Sequence, residues 1–412
     1  MNSSHKASLR KVAGLVLPAI YFCIPGSVEA GATFKVDDTK WVSIGAGLKT
    51  SFSAVEDRAG ANGDKWATDF NLNNMRLYLN GQIHEYIKLT FNTDCQNCSN
   101  GGTMRVLDAI AKFEYNQYVN AWFGRTLIPA ERRELDGPFY NPFFDTFGKS
   151  PFNPADFGLQ GLTNNQSDVT PGGAAGTFGR DDGVVLWGAL TADKRLTYAI
   201  SAFDGLDGGA NRDSNLMYVG RVSYNFWNVE DNPGYYTSST YYGTAGDVLT
   251  VAASNIYHED GVGVATNSGD FRGTEVDVIM EKVLPNDGVV TFNGEWKNYG
   301  IKRLAQSAYT TPNCFCMFEG NSYEAGLLYL MPDKVWIGQF QPYVRWNHVL
   351  PENSSDRNEF ETGVNYVIDG HNARVSLIYQ YGDIATKGIF NYGPNVTGAH
   401  VSAVKLGIQL QL

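Results

Sequence analysis

The sequence predicts an all-β chain folded as a transmembrane antiparallel β-barrel of about sixteen strands, with the third external loop folded inward. Three observations predict it. From residue 40 onward apolar residues recur at every second position, in segments of about ten residues, the length of a tilted strand crossing a bilayer. The connections between those segments alternate short and long. Aromatic residues of the apolar parity gather at the two ends of the segments. The composition of the 412 residues agrees: only 18% are charged, and 45 Gly, 23 Tyr and 23 Phe speak against a coiled coil and against disorder. No run of about 20 apolar residues occurs after residue 30, so a stack of membrane helices is excluded. A formal net charge of −11 removes the general attraction of basic proteins to nucleic acid, and no nucleic-acid partner is expected.

Residues 1–30 have the layout of a secretory signal. His5, Lys6, Arg10 and Lys11 precede a run of about thirteen apolar residues, Val12 to Ile24, and Val28-Glu29-Ala30 places small residues before the cut. The run is too short for a membrane anchor, and Pro18 and Pro25 would break one. Cleavage after Ala30 removes Lys6, Arg10, Lys11, Cys23 and Glu29 and leaves a mature chain of charge −13. The exported remainder, 31–412, is expected to be one barrel.

The elements follow in order. In the first strand Val42, Ile44, Ala46, Leu48 and Phe52 alternate with Ser43, Gly45, Gly47, Lys49 and Ser51, one face for lipid and one for water. Further strands are expected near 73–84, 85–94, 104–116, 117–127, 183–191, 194–204, 216–227, 246–257, 271–283, 287–300, 321–331, 334–349, 357–368 and 371–383. The last is the clearest: Val404, Leu406, Ile408, Leu410 and Leu412 alternate with Lys405, Gly407, Gln409 and Gln411. Short turns fall at His84-Glu85, Asn116-Gln117, Ala192-Asp193, Pro285-Asn286-Asp287-Gly288, Pro332-Asp333 and Asp369-Gly370. Long connections fall at 55–72, 128–182, 205–215, 258–270, 301–320 and 384–399, with shorter ones at 95–103 and 350–356. One gap breaks the rhythm. Residues 228–245, NVEDNPGYYTSSTYYGTA, stand where a short turn belongs, so either that turn is decorated or the register slips there.

A soluble β-sandwich also alternates, but it gives no reason for aromatic residues to collect at strand ends. Here Phe113, Tyr115, Phe226, Tyr329, Trp336 and Tyr366 lie near the short-turn ends. Phe52, Phe91, Phe123, Trp296, Trp346, Tyr379 and Tyr381 lie near the other ends. Two girdles of this kind are what lipid headgroups select, so outer-membrane lipid is the expected surrounding partner and the cell outer membrane of a Gram-negative envelope the expected location.

No catalytic constellation is legible, and the chain is read as not an enzyme. A barrel hydrolase needs a nucleophile and a base within reach near the outer rim. Among the histidines of the mature chain, His84 and His371 fall at short turns, on the opposite side. His258-Glu259-Asp260 could hold a metal, though a solvated acidic loop explains it as well, and no metal is assigned. The glycines of Gly172-Gly173-Ala174-Ala175-Gly176 lack the Lys and Ser/Thr of a phosphate-cradling loop, and no cofactor is expected. The four mature cysteines form two close pairs, Cys95/Cys98 and Cys314/Cys316, and Ser99 after Cys98 rules out haem attachment. The pairs lie about half a barrel circumference apart, which favours local disulfides, Cys95 with Cys98 and Cys314 with Cys316, over a shared zinc site.

The longest connection, 128–182, opens IPAERRELDGPFYNPFFDTFGKSPFNPADFG. So many apolar and aromatic residues need burial, which the lumen would provide, and the loop is read as a constriction with Glu131, Arg132, Arg133 and Glu134 at its charged end. The two arginines would form a positive station for anions, facing water; packing on the outer rim or in a subunit contact is the alternative. Applying the alternation to every ionisable residue puts Lys49, Arg76, Lys88, Arg345, Arg374 and Lys405 on one lumen arc. Glu275, Asp277, Glu281, Glu295 and Glu324 fall on the facing arc, with Arg221, Lys297 and Glu361 as exceptions. This arrangement would set a transverse field across the pore.

The segments MRLYLNGQIHEYIKLTFNTD, LDAIAKFEYNQYVNAWFGRTLIPAERRE and FETGVNYVIDGHNARVSLIYQY resemble the corresponding hairpins of the phosphate-selective porin family (porins O and P) of Gram-negative outer membranes, over most of 70–412. The resemblance implies a sixteen-stranded, usually trimeric barrel with an inward loop after the fifth strand, passing small hydrophilic solutes. The chain departs from the family at Gly124-Arg125-Thr126-Leu127-Ile128-Pro129, where Leu127 stands at a position at which lysine is common, and at its terminal Leu412. A dense basic ladder, which stripping water from phosphate requires, is not found. The expected function is therefore a water-filled outer-membrane channel for passive diffusion of small hydrophilic or ionic solutes, anions such as phosphate among them. The alternative is a barrel that serves as partner or sheath for an exported electron-transfer or binding protein.

Overall fold

A computed structural model describes residues 31–96, 98, 104–145, 179–205, 214–264, 267–303, 319–352, 354–387 and 397–412. Residues 1–30, where a signal is expected, residues 146–178 of the long connection, and Cys314 and Cys316 of the second expected disulfide lie outside them. The strands are β1 Ala32–Lys35, β2 Trp41–Ala59, β3 Lys65–His84, β4 Ile87–Gln96, β5 Arg105–Glu114, β6 Asn120–Leu127, β7 Arg180–Ala189, β8 Leu196–Phe203 and β9 Met217–Asn225. They continue as β10 Val248–Val264, β11 Asn267–Val283, β12 Val289–Lys302, β13 Gly320–Leu330, β14 Lys334–Val335, β15 Gly338–Pro351, β16 Arg357–Asp369, β17 Ala373–Gly382 and β18 Val401–Gln411. Two helices are described, α1 Arg132–Tyr140 and α2 Ile384–Lys387.

Sixteen of the eighteen strands close into one antiparallel ring, each paired with its sequence neighbour, and β18 returns to β2 with Leu410 opposite Leu48. A closed ring leaves no unpaired edge, the condition for a sheet to stand in lipid. The alternation expected from the sequence sets the two faces. Along β18, Leu406, Ile408 and Leu410 are exposed while Gly407, Gln409 and Gln411 are buried. Along β2, Val42 and Ile44 are exposed while Ser43 and Lys49 are buried. An apolar surface outside and a buried polar surface inside is the inverse of a soluble core, and it identifies the inner face as the lumen. Phe113, Tyr115, Trp336, Phe91, Phe123 and Tyr381 of the two girdles are all exposed on the outer face or its rims.

The strand ends differ from the sequence expectation in three places. The connections expected at 55–72 and 258–270 are largely strand: β2 and β3 remain paired from Ala59 to Lys65, and β10 and β11 from Val264 to Asn267. Bulges between Val55 and Ala59 and between His258 and Val262 carry the ladders onward, past the runs Glu56-Asp57-Arg58 and Glu259-Asp260 that interrupt the alternation in the sequence. The strand expected from 334 begins at Gly338, because Trp336 adopts φ 60° and turns Lys334–Val335 back on Gly338 and Gln339 as a two-residue hairpin. β1, unexpected from the pattern, pairs with the start of β2. At 226–247 the register of β9 against β10 is regular, from Asn225 opposite Thr250 to Met217 opposite His258, so the turn is decorated and no slip occurs.

Candidate functional site

The lumen is the site, and side chains reach it from three sources: the inner parity of the strands, residues 128–145 from the long-loop rim, and residues 226–247 from the short-turn rim. In the first inserted segment, α1 breaks at Gly137, whose φ of 59° is open to glycine, and Pro138 follows. Beyond α1 the side chain of Asn141 accepts from the Phe143 amide at 2.9 Å and turns the chain. Three phenylalanines then meet three inner-face glycines. A Cβ on Gly47 would lie 2.8 Å from the Phe139 ring, one on Gly326 2.2 Å from Phe143, and one on Gly407 2.5 Å from Phe144. The wall is recessed where the rings dock, so alanine at any of these positions would displace them.

Arg132 and Arg133 are each 3% exposed and held by carboxylates, so the expectation that they face water as a free positive station is corrected. Arg132 grips Glu230 with Nη1 and Nη2, both at 2.8 Å, and Asp277 with Nε at 3.1 Å. Arg133 reaches Glu131 at 2.8 Å, Glu324 at 3.3 Å and Glu295 at 3.5 Å. The two apparent exceptions on this arc supply the remaining countercharge. Arg221 bonds Asp277 at 2.6 Å, and the Lys297 ammonium contacts Glu131 and lies 3.2 Å from Glu295. Burial would raise the Glu230 carboxyl, but the Arg132 guanidinium outweighs it and holds that group down at about 2. Glu275 accepts from Tyr299 at 2.6 Å and Ser254 at 3.0 Å. Glu134 is buried beside Gly179.

The opposite arc, β15 to β18 with β2 and β3, carries the cations. Arg345 pairs with Glu361 at 2.8 Å, so this exception too is a countercharge, and Lys405 pairs with Asp145 at 2.5 Å. Lys49 donates to the carbonyls of Pro138 at 2.8 Å and Phe144 at 2.7 Å. Arg374 donates to Gln409 at 3.1 Å and to the Tyr242 hydroxyl at 3.3 Å. Lys88 stands apart toward the short-turn rim, 2.7 Å from Glu114. Arg76 bonds Asp94 at 2.5 Å under the Phe139 ring, and Asp94 is fully buried. Asp94→Asn should leave a buried guanidinium without its partner and lower stability by about 3 kcal/mol, read as a lower urea midpoint for loss of the heat-modifiable folded band.

The second inserted segment, 226–247, meets the first. Thr237 Oγ1 donates to the Arg132 carbonyl at 2.8 Å, Arg132 Nη1 donates to the Ser238 carbonyl at 2.8 Å, and the Ser239 hydroxyl donates to Asp136. Burial pushes the Asp136 carboxyl up, against the Ser239 hydroxyl and Arg132. Glu281, expected as a lumen charge, accepts from the hydroxyls of Thr240 and Thr291, both at 2.9 Å, and from the amides of Tyr241 at 3.0 Å and Gly243 at 2.8 Å. At one end Tyr235 and Tyr236 pack on Trp122, with centroids 5.2 and 5.3 Å apart. At the other Tyr242 stacks on His371, which also faces Tyr140 and donates to or accepts at Ser238. Burial and the nearby Arg374 charge push His371 down to about 4.

Parity reasoning missed Asp94 and Asp108, although both share the even parity of Lys88 and Lys112 on their strands; Asp108 bonds Arg180 at 3.1 Å. Glu230 and the tyrosines at 235–242 carry a different signal, the aromatic density of a turn too long for its place in the rhythm. Cys95 and Cys98 form a disulfide with Cα atoms 5.5 Å apart. Among the described residues no group of three or more His, Cys, Asp or Glu could hold a metal ion.

The closed ring, its two faces and its loop rhythm define a porin-type outer-membrane barrel fold. The solved structures it resembles include the anion-selective porin from Comamonas acidovorans, with TM-score 0.56 and 12% identity over 90% of this chain and 100% of that one. Salmonella typhi OmpF, solved in complex with daunomycin, gives 0.55 and 11% over 91% and 98%. Vibrio cholerae OmpT gives 0.51 and 10% over 91% and 99%. No family model and no curated protein matches the sequence.

Proposed function

We propose that the chain is a non-enzymatic outer-membrane porin, exported through a cleaved signal peptide and assembled as a trimer, that passes small hydrophilic or ionic solutes by diffusion. The observation that carries this reading is the inner face: ionised side chains line it on opposite arcs, inside an apolar outer surface that only lipid or another subunit could cover. The solved Vibrio cholerae OmpT described as a trimer form, 11% identical, supports the assembly. A lean toward anions is supported by Lys49 and Arg374, whose hydrogen bonds go to carbonyl, amide and hydroxyl groups, so that no direct carboxylate partner offsets their charge. The same two cations, with the hairpin resemblance, make phosphate a candidate solute. Residues 128–145 and 226–247 occupy the space a docked electron carrier would need, which disfavours the sheath reading.

Purified, refolded protein in a planar bilayer should give discrete conductance steps, with a reversal potential of anion sign in a salt gradient. Absence of steps from protein that retains the heat-modifiable folded band would remove the channel reading, and copurification of a haem protein with it would favour the alternative.

A further inference from the structure

We propose that residues 226–247 form a second constriction, entering from the short-turn rim, and that this segment sets the size cut-off of the channel together with loop 128–145. The inference rests on the channel reading and adds to it the element that limits passage.

The segment leaves β9 and returns to β10, yet its contacts are not confined to those strands. Tyr235 and Tyr236 reach Trp122 on β6, Ser239 accepts from Asn293 on β12 at 2.8 Å, and Tyr242 reaches Arg374 on β17. β6 and β17 are six strand steps apart along the shorter arc of the ring. A chain that touches both, while rooted at β9 and β10, has to cross the lumen. A turn decorated only for local stability would pack on its own hairpin, and a tyrosine-rich loop meant for lipid would lie on the outer face.

The chemistry of the segment suits a pore wall. Its middle, Thr237 to Tyr242, presents hydroxyls and backbone groups: Thr237 and Ser239 bond Arg132 and Asp136 of the other inserted segment, Thr240 and the Tyr241 amide bond Glu281 on the acidic arc, Ser238 bonds Thr240 within the segment, and the Tyr242 hydroxyl accepts from Arg374 on the basic arc. The two segments together bury lumen cations under protein: Lys49, Lys297 and Arg345, which meet residues 131–145, and Arg374, which meets Tyr242, are each under 2% exposed. A wide water-filled bore would leave such cations solvated.

The test replaces Val229–Thr244 with Asn-Gly, a two-residue hairpin turn of the kind that other short-turn positions use. A milder variant, Tyr235→Ala/Tyr236→Ala/Tyr242→Ala, keeps Glu230 on Arg132 and guards against a folding failure of the first. Both are compared with the parent by single-channel conductance in potassium chloride and by liposome swelling with sugars of increasing size. The expected result is a conductance raised about threefold or more in the shortened variant, less in the triple variant, with larger sugars admitted. A silent folded parent beside a conducting variant would uphold the constriction and overturn the reading of the parent as an open channel. Equal conductance and cut-off in parent and folded variants would overturn it and leave the channel reading intact. Silence of parent and folded variants alike would overturn both.

Discussion

Replacing Arg132 and Arg133 together with Glu is expected to abolish recovery of the folded barrel. The double reversal sets two new carboxylates against Glu230, Asp277, Glu131, Glu295 and Glu324, at positions 3% exposed, where water cannot screen them. Breaking one buried pair by removing a partner costs about 3–5 kcal/mol, and reversal adds repulsion to that loss. A protein whose total stability is on the order of 10 kcal/mol cannot absorb two such changes. Arg132→Met/Arg133→Met, which removes the charge and keeps most of the volume, should refold at reduced yield. The measurement is the fraction of heat-modifiable folded band after refolding into detergent, followed by its urea midpoint. A double-Glu variant with an unchanged midpoint would mean that these ion pairs do not hold the inserted loop.

Lys49→Gln/Arg374→Gln is expected to move the reversal potential toward cations by about 10–30 mV in a tenfold potassium chloride gradient, where ideal selectivity corresponds to about 59 mV. The reasoning is local. Other basic lumen residues such as Arg345, Lys405 and Arg76 sit against Glu361, Asp145 and Asp94, so their fields are largely cancelled at short range. Lys49 and Arg374 bond neutral groups, and removing their charges subtracts directly from the positive side of the lumen. Glutamine keeps a donor for the Pro138 carbonyl and for Gln409, so the fold is expected to survive. An unchanged reversal potential in folded protein would place the conduction path away from these two side chains.

The strands were legible because lipid on one side and polar groups on the other impose a period of two that nothing else in the chain imitates. The ladders of β2–β3 and β10–β11 run on past bulges that the pattern does not announce, because the charged runs Glu56-Asp57-Arg58 and Glu259-Asp260 interrupt the period there. Lumen residues could be sorted by parity alone, which placed Lys49, Arg345, Glu281 and Asp277 on the inner face. Their partners could not, because a salt bridge such as Arg132–Glu230 joins segments that the one-dimensional pattern holds about a hundred residues apart. The same limit explains why Arg132 and Arg133 read as a free positive station: the sequence shows two arginines beside Glu131 in a loop, and only the closed ring brings Glu230, Asp277, Glu295 and Glu324 around them.

The meeting of the two inserted segments also has a consequence for how the barrel assembles. Contacts such as that of Thr237 with the Arg132 carbonyl close a loop of about a hundred residues, and they require both β6–β7 and β9–β10 to be already in register. Interactions that form after the rate-limiting step change how fast a protein comes apart and leave the rate at which it forms nearly untouched. The bonds across the lumen then act as a bolt thrown after the door has shut: a chain lacking them would enter the membrane at the usual pace and be lost from it sooner.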